Sequence, residues 1–342
     1  MISILAAIFV FGLLVMVHEL GHFVTAKMTN MRVDEFAIGF GPKLWGYQSG
    51  ETKYSIRAIP LGGFNRIAGM DMDEDEADAG ERAYYNRPVW ARMIVILAGS
   101  FMNFVLPLVI FFFIFMYSGI GTPSDEPVIG DVVAGHPAAE AGLMAGDRIV
   151  SINGNTVTEW KQLSELLSNG EGKVFKVVYE REGASHETRV IPQYEESQQK
   201  VVIGIISGVN VHQPTVAEAA AASAEKTVGI MKSMVNGLLS LVTGKADTAE
   251  LSGPLGVAQM AGEVARVGIV PLFNFAAFLS LNLGIINLLP VPALDGGHFV
   301  TLCLEAVRGK PLQKETMYKV QLTGVVLLLS LMVFATVNDI MR

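Results

Sequence analysis

Long apolar runs alternate with polar segments along the chain of 342 residues, and the lengths of these runs indicate its architecture. A helix rises about 1.5 Å per residue, so roughly 20 apolar residues cross the hydrocarbon core of a bilayer. Runs that reach or approach this length begin at Met1, Ile94, Val267 and Val320. We therefore predict four transmembrane helices, at residues 1–26, 93–118, 267–306 and 318–339.

The polar segments between these runs have patterns of their own. Residues 27–92 combine glycines with short alternating stretches, which predicts β-hairpins and loops. Residues 125–195 alternate short apolar strands with glycine turns, which is typical of one compact extramembrane domain. Residues 213–265 are alanine-rich and then apolar at helical spacing, as in a membrane-associated helical region. The predicted fold is an α-helical polytopic membrane protein with an inserted α+β domain.

Composition agrees with a membrane protein, because 51% of the residues are hydrophobic and only 17% are charged, against about 25% charged in soluble domains. The first run could instead be a cleaved signal peptide, but it lacks a basic start and a small-residue cleavage site. The net charge is −8, and an acidic cluster at residues 71–81 is typical of a solvated loop rather than a cation site. No basic tract indicates a nucleic-acid partner.

Lysine and arginine residues near the span ends predict the orientation. They concentrate in the first and last connections, which by the positive-inside rule should be cytoplasmic. These residues are Lys27, Arg32, Arg87, Arg92, Arg308, Lys310, Lys314 and Lys319. Four spans then place both termini and the compact domain on the outer side.

Two histidines and a glutamate lie at the end of the first run, in the sequence His18-Glu19-Leu20-Gly21-His22. Residues four apart on an α-helix project about 40° from one another, so both imidazoles can bind one metal ion. Imidazole nitrogens suit zinc, and the adjacent glutamate is placed to take a proton from water at the metal. Ionisable side chains beside a hydrophobic span are costly and are usually functional.

A catalytic zinc ion ordinarily has three protein ligands and one open position, so the chain must supply one more ligand. The carboxylate that stands out in the other apolar segments is Asp295, which follows Pro290 and Pro292 and precedes Gly296 and Gly297. These prolines and glycines break the helix, which at membrane depth is tolerated only where the backbone faces protein or a wet cavity. The acidic residue in a broken helix therefore indicates a site.

The two motifs together resemble the site-2 protease family of intramembrane metalloproteases, and the resemblance runs along the whole chain. The family's metal motif is matched by His18, Glu19 and His22. Its N-x-x-P-x-P-x-L-D-G motif is matched by Asn287, Pro290, Pro292, Leu294, Asp295 and Gly296. The resemblance implies Zn²⁺ as the cofactor, with His18, His22 and Asp295 as its ligands. It also implies that Glu19 is the general base and that Asn287 binds the substrate or an intermediate.

Other positions are expected to contact the substrate. Gly62, Gly63 and Phe64 look like part of the family's membrane-inserted β-hairpin, whose edge can pair with an extended substrate. A hairpin without substrate contact is the alternative. Asn103 matches a family asparagine, although Ser100 stands where the family often has proline, so Asn103 could instead join helices. We expect His298 to pack near the metal site rather than to bind the metal, because a fourth ligand would close the position that water needs.

Residues 141–154, AGLMAGDRIVSING, resemble the bacterial PDZ signature. The resemblance predicts an α+β PDZ domain over residues 125–195, with a helix at residues 158–167 that borders a groove for a peptide C-terminus. Relatives often have two such domains in tandem, whereas this chain has room for one.

These features predict an intramembrane zinc metalloendopeptidase in the bacterial inner membrane, with its site toward the cytoplasm and its PDZ domain outside. The family implies that its substrates are single-span membrane proteins, such as trimmed anti-sigma factors or remnant signal peptides. The alternative is a membrane-anchored PDZ scaffold or chaperone with a structural zinc site. A metal transporter is a further alternative, but the candidate ligands form one cluster rather than a relay of sites.

Overall fold

The computed structural model describes residues 2–70, 80–167, 170–195, 200–244 and 253–341. Most of the acidic cluster that was interpreted as a solvated loop, residues 71–79, lies outside the described residues. The helices are α1 (Ile2–Met28), α2 (Val89–Ser118), α3 (Pro137–Glu140), α4 (Trp160–Leu167), α5 (Val216–Val242), α6 (Pro254–Val267), α7 (Ile269–Asn287), α8 (Asp295–Arg308) and α9 (Lys314–Met341).

The strands form one long β-ribbon after α1 and a group of shorter strands between α2 and α5. They are β1 (Val33–Ser49), β2 (Thr52–Ile67), β3 (Ile120–Pro123), β4 (Ile129–Val132), β5 (Arg148–Ile152), β6 (Asn155–Thr156), β7 (Phe175–Arg181), β8 (Ala184–Val190), β9 (Gln193–Glu195), β10 (Lys200–Val202), β11 (Ile205–Ser207) and β12 (Val209–His212). Contacts divide the chain into two units, residues 1–115 with 216–342, and residues 116–215.

Among the residues that the structure describes, four helices are long and apolar enough to cross a membrane, which confirms the predicted class of fold. They span residues 2–28, 89–118, 269–287 and 315–341. One apolar core joins α1, α2, α6 and α7, with Val10, Phe111 and Ala276 at most 1% exposed. Asp339 of α9 accepts hydrogen bonds from the backbone amides of Gly253 and Gly256, both at 2.8 Å, at the first turn of α6. This carboxylate satisfies amides that a helix start leaves without partners.

The third predicted span is two helices rather than one continuous helix over residues 267–306. Helix α7 ends at Asn287, and α8 begins at Asp295. Proline has no amide hydrogen and clashes with the preceding turn, so Pro290 and Pro292 prevent the helix from continuing. A Cβ atom on Gly296 would lie 2.3 Å from the Leu289 carbonyl oxygen, so only glycine allows this return of the chain.

Strands β1 and β2 form a sheet that folds on itself instead of a simple hairpin. Ala37 lies opposite both Ser55 and Phe64, and Ile38 lies opposite both Ile56 and Gly63. The first half of β1 therefore contacts two separate parts of β2. Gly12 of α1 lies against Pro60, with the position of its Cβ 3.5 Å from the Pro60 carbonyl oxygen. The sheet thus extends along α1 within the membrane-spanning unit.

The second unit is the inserted α+β domain, and it contains a four-stranded sheet in the order β6-β5-β7-β8. Its core includes Ile149, Ile152, Leu163 and Val177, all at most 2% exposed. Ile149 and Ile152 come from β5, Val177 from β7 and Leu163 from α4. A register shift between Ile149 and Ser151 allows two β5 residues that are three positions apart to face the same core. Helix α4 falls within the helix predicted at residues 158–167.

Candidate metal centre

Helix α1 presents two imidazoles on the same face, six and ten residues before its end at Met28. The Nε2 atoms of His18 and His22 are 3.1 Å apart, and both side chains are buried. At about 1.5 Å per residue, they lie roughly 9 to 15 Å inward from the helix end. The i, i+4 spacing thus forms the local pair that the sequence predicts.

Asp295 brings a carboxylate to this pair from the first turn of α8. Its Oδ2 lies 3.3 Å from His18 Nε2 and 3.7 Å from His22 Nε2. Leu294 caps the helix in an extended conformation, and Ala293 before it has a φ of 73°, a conformation that glycine usually adopts. The turn that follows Pro292 therefore directs Asp295 toward α1.

The three side chains have the donor set and spacing of a zinc site. His18, His22 and Asp295 each offer one ligand atom, and these atoms lie within 4.8 Å of one another. Tetrahedral zinc with bonds of about 2.0 to 2.2 Å separates neighbouring ligand atoms by roughly 3.3 to 3.6 Å. The observed distances of 3.1 to 3.7 Å are near this range, so the residues fit a zinc ion with three protein ligands.

The second nitrogen of His22 has a partner that suits metal binding. Its Nδ1 lies 2.7 Å from the carbonyl oxygen of Val95 in α2. A carbonyl oxygen can only accept, so Nδ1 carries the hydrogen and Nε2 keeps its lone pair on the side of Asp295. Such outer hydrogen bonds orient metal-binding histidines in proteins.

Helix α2 approaches the histidines so closely that only glycine fits at the crossing. A Cβ atom on Gly99 would lie 2.3 Å from His22 Nε2 and 2.7 Å from His18 Cε1. On the other helix, a Cβ atom on Gly21 would lie 2.3 Å from the Ala98 carbonyl oxygen. Neither glycine was predicted to have a role at the site, although Gly21 lies inside the metal motif.

Ser100, which replaces the family's usual proline, lies at the site. Its hydroxyl group donates a hydrogen bond of 3.3 Å to Asp295 Oδ2, and the residue is completely buried. Asn103, one turn further along α2, places its Nδ2 3.1 Å from His18 Nδ1. Asn103 is therefore beside a proposed zinc ligand, and its role in substrate binding stays a prediction.

The predicted base, Glu19, follows His18 on α1 and faces the β-sheet. Its carboxyl group is within hydrogen-bonding reach of the backbone amide of Asn65 in β2. The side-chain amide atoms of Asn65 are buried and have no hydrogen-bond partner among the described residues. Asn65 was not singled out from the sequence, because no recognised spacing places it near Glu19.

The other predicted substrate residues lie in two places. Gly62, Gly63 and Phe64 are in β2, where Gly63 pairs with Ile38 and Phe64 stacks on Phe40 with ring centroids 6.3 Å apart. Asn287 is the last residue of α7 and is half-buried. These positions thus lie in β2 and at the end of α7, and their contact with a substrate remains a prediction.

His298 lies one turn beyond Asp295 on α8. Its Nε2 is 3.3 Å from the side-chain nitrogen of Gln321 in α9. Of the residues that the structure describes, only His18, His22 and Asp295 form a group of three or more potential metal ligands. The packing role expected for His298 stays a prediction.

Comparisons with known proteins show the family of the chain. The profile of peptidase family M50 matches residues 6–331. Over 99% of its length the chain is 36% identical to the regulator of sigma-W protease RasP of Bacillus subtilis, 98% of which is covered, and 33% identical to the zinc metalloprotease RasP of Bacillus licheniformis, 99% of which is covered. The PDZ domain of an SdrC-like protein from Listeria monocytogenes is 22% identical, with 25% of this chain and 90% of that domain covered and a TM-score of 0.22. The family match and the two RasP relatives show that the chain belongs to peptidase family M50, the site-2 type of zinc metalloprotease.

Proposed function

We propose that the protein is an intramembrane zinc endopeptidase that cleaves transmembrane segments of single-span membrane proteins. The observation that carries the proposal is the convergence of His18, His22 and Asp295 on one point, next to Glu19. These residues lie among helices of membrane-spanning length, so their natural substrate is a peptide at membrane depth. Family membership and the RasP relatives support the same activity.

Each side chain of the site has a distinct task in peptide hydrolysis. When bound, zinc supplies a Lewis acid that makes water nucleophilic near neutral pH and polarises a carbonyl group. His18, His22 and Asp295 would hold the ion and leave one position open. Glu19 takes a proton from the attacking water as a carbon–oxygen bond forms, and then delivers it to the nitrogen of the peptide bond that breaks.

The sheet formed by β1 and β2 supports a proposal for how an extended substrate is held at the site. A protease needs an extended peptide, because a helix already pairs its peptide groups internally. The part of β2 from Gly62 to Phe64 pairs with β1 on one side, and the amide of the next residue, Asn65, reaches Glu19. We infer that an extended substrate adds along this part of β2, which places a peptide bond beside the general base.

The proposed setting is the bacterial inner membrane, with the site nearer the cytoplasmic side. The basic residues at the ends of α1, α2 and α8 support this orientation under the positive-inside rule. Trimmed anti-sigma factors and remnant signal peptides are the proposed substrate classes. Both are single-span segments whose outer portions are short.

A second proposed binding site is the groove of the PDZ-like unit. A cavity of about 380 Å³ lies between α4 and the segment from β10 to β11, with Leu163, Leu167, Ile203 and Ile205 in its lining. The apolar walls of this cavity, and the exposed edge of the β10–β11 segment beside them, suit an extended peptide C-terminus. This groove can recruit a trimmed partner independently of the zinc site.

The test is cleavage of a single-span model substrate by purified protein in lipid vesicles. We expect one zinc ion per chain, loss of cleavage when a chelator removes the ion, and recovery when zinc is restored. A structural zinc site in a PDZ scaffold predicts bound zinc without cleavage. Zinc uptake into sealed vesicles without peptide cleavage would instead indicate a transporter.

A further inference from the structure

Asn103 is a polar residue in the packed interior of the membrane-spanning unit, and it contacts a proposed zinc ligand. It has no exposed surface, and its Nδ2 lies 3.1 Å from His18 Nδ1. Ser280 of α7 donates a hydrogen bond of 2.8 Å to the main-chain carbonyl oxygen of Asn103. Two helices therefore fix this residue against the imidazole of a third.

The role of His18 in the proposed function dictates which hydrogen bond its outer nitrogen must make. His18 Nε2 faces His22 and Asp295, so Nε2 must offer its lone pair to the metal. A neutral imidazole with a free lone pair on Nε2 carries its hydrogen on Nδ1. The group that faces Nδ1 must therefore accept a hydrogen bond.

His22 already shows this arrangement, since its Nδ1 lies 2.7 Å from the main-chain carbonyl oxygen of Val95. For His18 the Gly99 carbonyl group is within reach of the imidazole, and the Asn103 side chain contacts Nδ1 itself. Asn103 can present either an NH₂ group or an oxygen, because a half-turn of its amide exchanges the two. The Oδ1 atom of Asn103 is buried and receives no hydrogen bond from the described residues. A 180° rotation of the amide therefore breaks no hydrogen bond to this oxygen.

We propose that Asn103 is a positioning residue: its amide oxygen accepts the Nδ1 hydrogen of His18 and so keeps the Nε2 lone pair directed at the metal. This inference rests on the proposed zinc site and adds a partner that fixes the form of one ligand. Replacement of such outer partners weakens metal binding about 10- to 100-fold in metalloenzymes. We expect a loss of about 10-fold here, because the Gly99 carbonyl group remains.

The test compares Asn103→Leu with Asn103→Asp in the purified full-length protein. Leucine removes the acceptor at similar volume, whereas a carboxylate accepts from Nδ1 but cannot donate to it. Zinc affinity is measured by competition with a chelator, and the visible spectrum of the cobalt-substituted protein reports on the ligand geometry. Asn274→Leu is the matched control, because Asn274 of α7 bonds Lys226 instead of a histidine.

We expect Asn103→Leu to bind zinc about 10-fold more weakly with an altered cobalt spectrum, and Asn103→Asp to stay within about threefold of the parent. Unchanged affinity in Asn103→Leu would overturn the proposal, and so would an equal loss in both variants, which would assign the NH₂ group the active role. If Asn103→Leu does not fold, Asn103→Ala provides the same comparison. Full zinc affinity in His18→Ala would instead show that the zinc site itself is misassigned.

Discussion

At the scale of single residues, alanine substitutions at Gly99 and Gly12 test whether the metal site requires the close approach of α2 to the two histidines. A methyl group on Gly99 would lie 2.3 Å from His22 Nε2, whereas one on Gly12 would meet nothing nearer than the Pro60 carbonyl oxygen at 3.5 Å. We expect Gly99→Ala to weaken zinc binding at least about 10-fold, and Gly12→Ala to change it less than about twofold. Chelator competition on both variants measures this, and equal affinities would show that α2 does not constrain the histidines.

Asp295 gives a second prediction at this scale. Among the described residues, Asp295 is the only carboxylate grouped with the two histidines as a potential metal ligand, and Asp295→Ala removes it. We expect zinc content to fall well below one ion per chain and cleavage to fall at least about 100-fold, because a direct ligand contributes more than the outer partners. Asp131→Ala is the control, since this exposed aspartate lies in the other unit. Full zinc occupancy in Asp295→Ala would make His298 the next ligand to test.

The site residues that can be predicted from the sequence are those whose positions depend on local spacing. His18 and His22 follow from the i, i+4 geometry of a helix, and Asp295 follows from the break that the prolines impose. Gly99, Ser100 and Asn65 could not be found in this way. Their roles depend on which part of α2 crosses α1 and on which part of β2 lies beside Glu19, and the packing of separate elements determines both.

At the scale of elements, Asp147 joins the turn before β5 to the end of β7. It is completely buried and accepts hydrogen bonds of 2.7 Å from Nε and Nη2 of Arg181, and one of 2.8 Å from the Met144 amide. Burial alone raises the pKa of Asp147, but the hydrogen bonds from Arg181 and Met144 outweigh it and hold the pKa below its usual value. The carboxylate form thus stabilises the fold of this unit.

The pH dependence follows from the sign of this shift. Because the folded pKa is depressed, the stabilisation is present above the unfolded pKa of about 3.9 and is lost as the pH falls through the folded value. We expect Asp147→Asn to cost on the order of 2 kcal/mol at pH 7 and to flatten this acid dependence. Urea unfolding followed by the fluorescence of Trp160, with Trp45 and Trp90 replaced by phenylalanine, measures both. An unchanged acid dependence in the variant would assign it to other groups.

The length of the elements was easier to predict than their pairing. Apolar runs predict spans because a bilayer fixes how many residues must be apolar, and residues 2–28 and 89–118 lie close to the predicted positions. The doubled register of β1 against β2 has no such sequence signal. Alternation along a strand shows which residues share a face, and it leaves open which strand lies alongside.

At the scale of the whole molecule, we expect the inserted unit to select the substrates. A domain of 100 residues is about 25 Å across, and a body of this size can sterically exclude partners with bulky folded ectodomains. We expect it to act as a gate that admits trimmed substrates. The alternative is recruitment, in which its groove captures a newly exposed C-terminus.

Replacement of residues 127–192 by a short linker distinguishes gating from recruitment. Gating predicts that an untrimmed substrate is cleaved faster by the deletion variant than by the parent, while cleavage of a trimmed one changes little. If cleavage of both substrates falls while the variant stays folded and zinc-loaded, the gate is excluded and recruitment is favoured. Zinc content serves as the control, because the proposed ligands all belong to the first unit.

The most direct measurement of the central claim is zinc content and peptide cleavage in the same preparation of Glu19→Gln. Glutamine keeps the size of the side chain but cannot take a proton from water, and Glu19 is not among the grouped metal ligands. With Glu19 as the general base, we expect one zinc ion per chain, as in the parent, and cleavage reduced at least about 100-fold. Cleavage at the parental rate by zinc-loaded Glu19→Gln protein would contradict it.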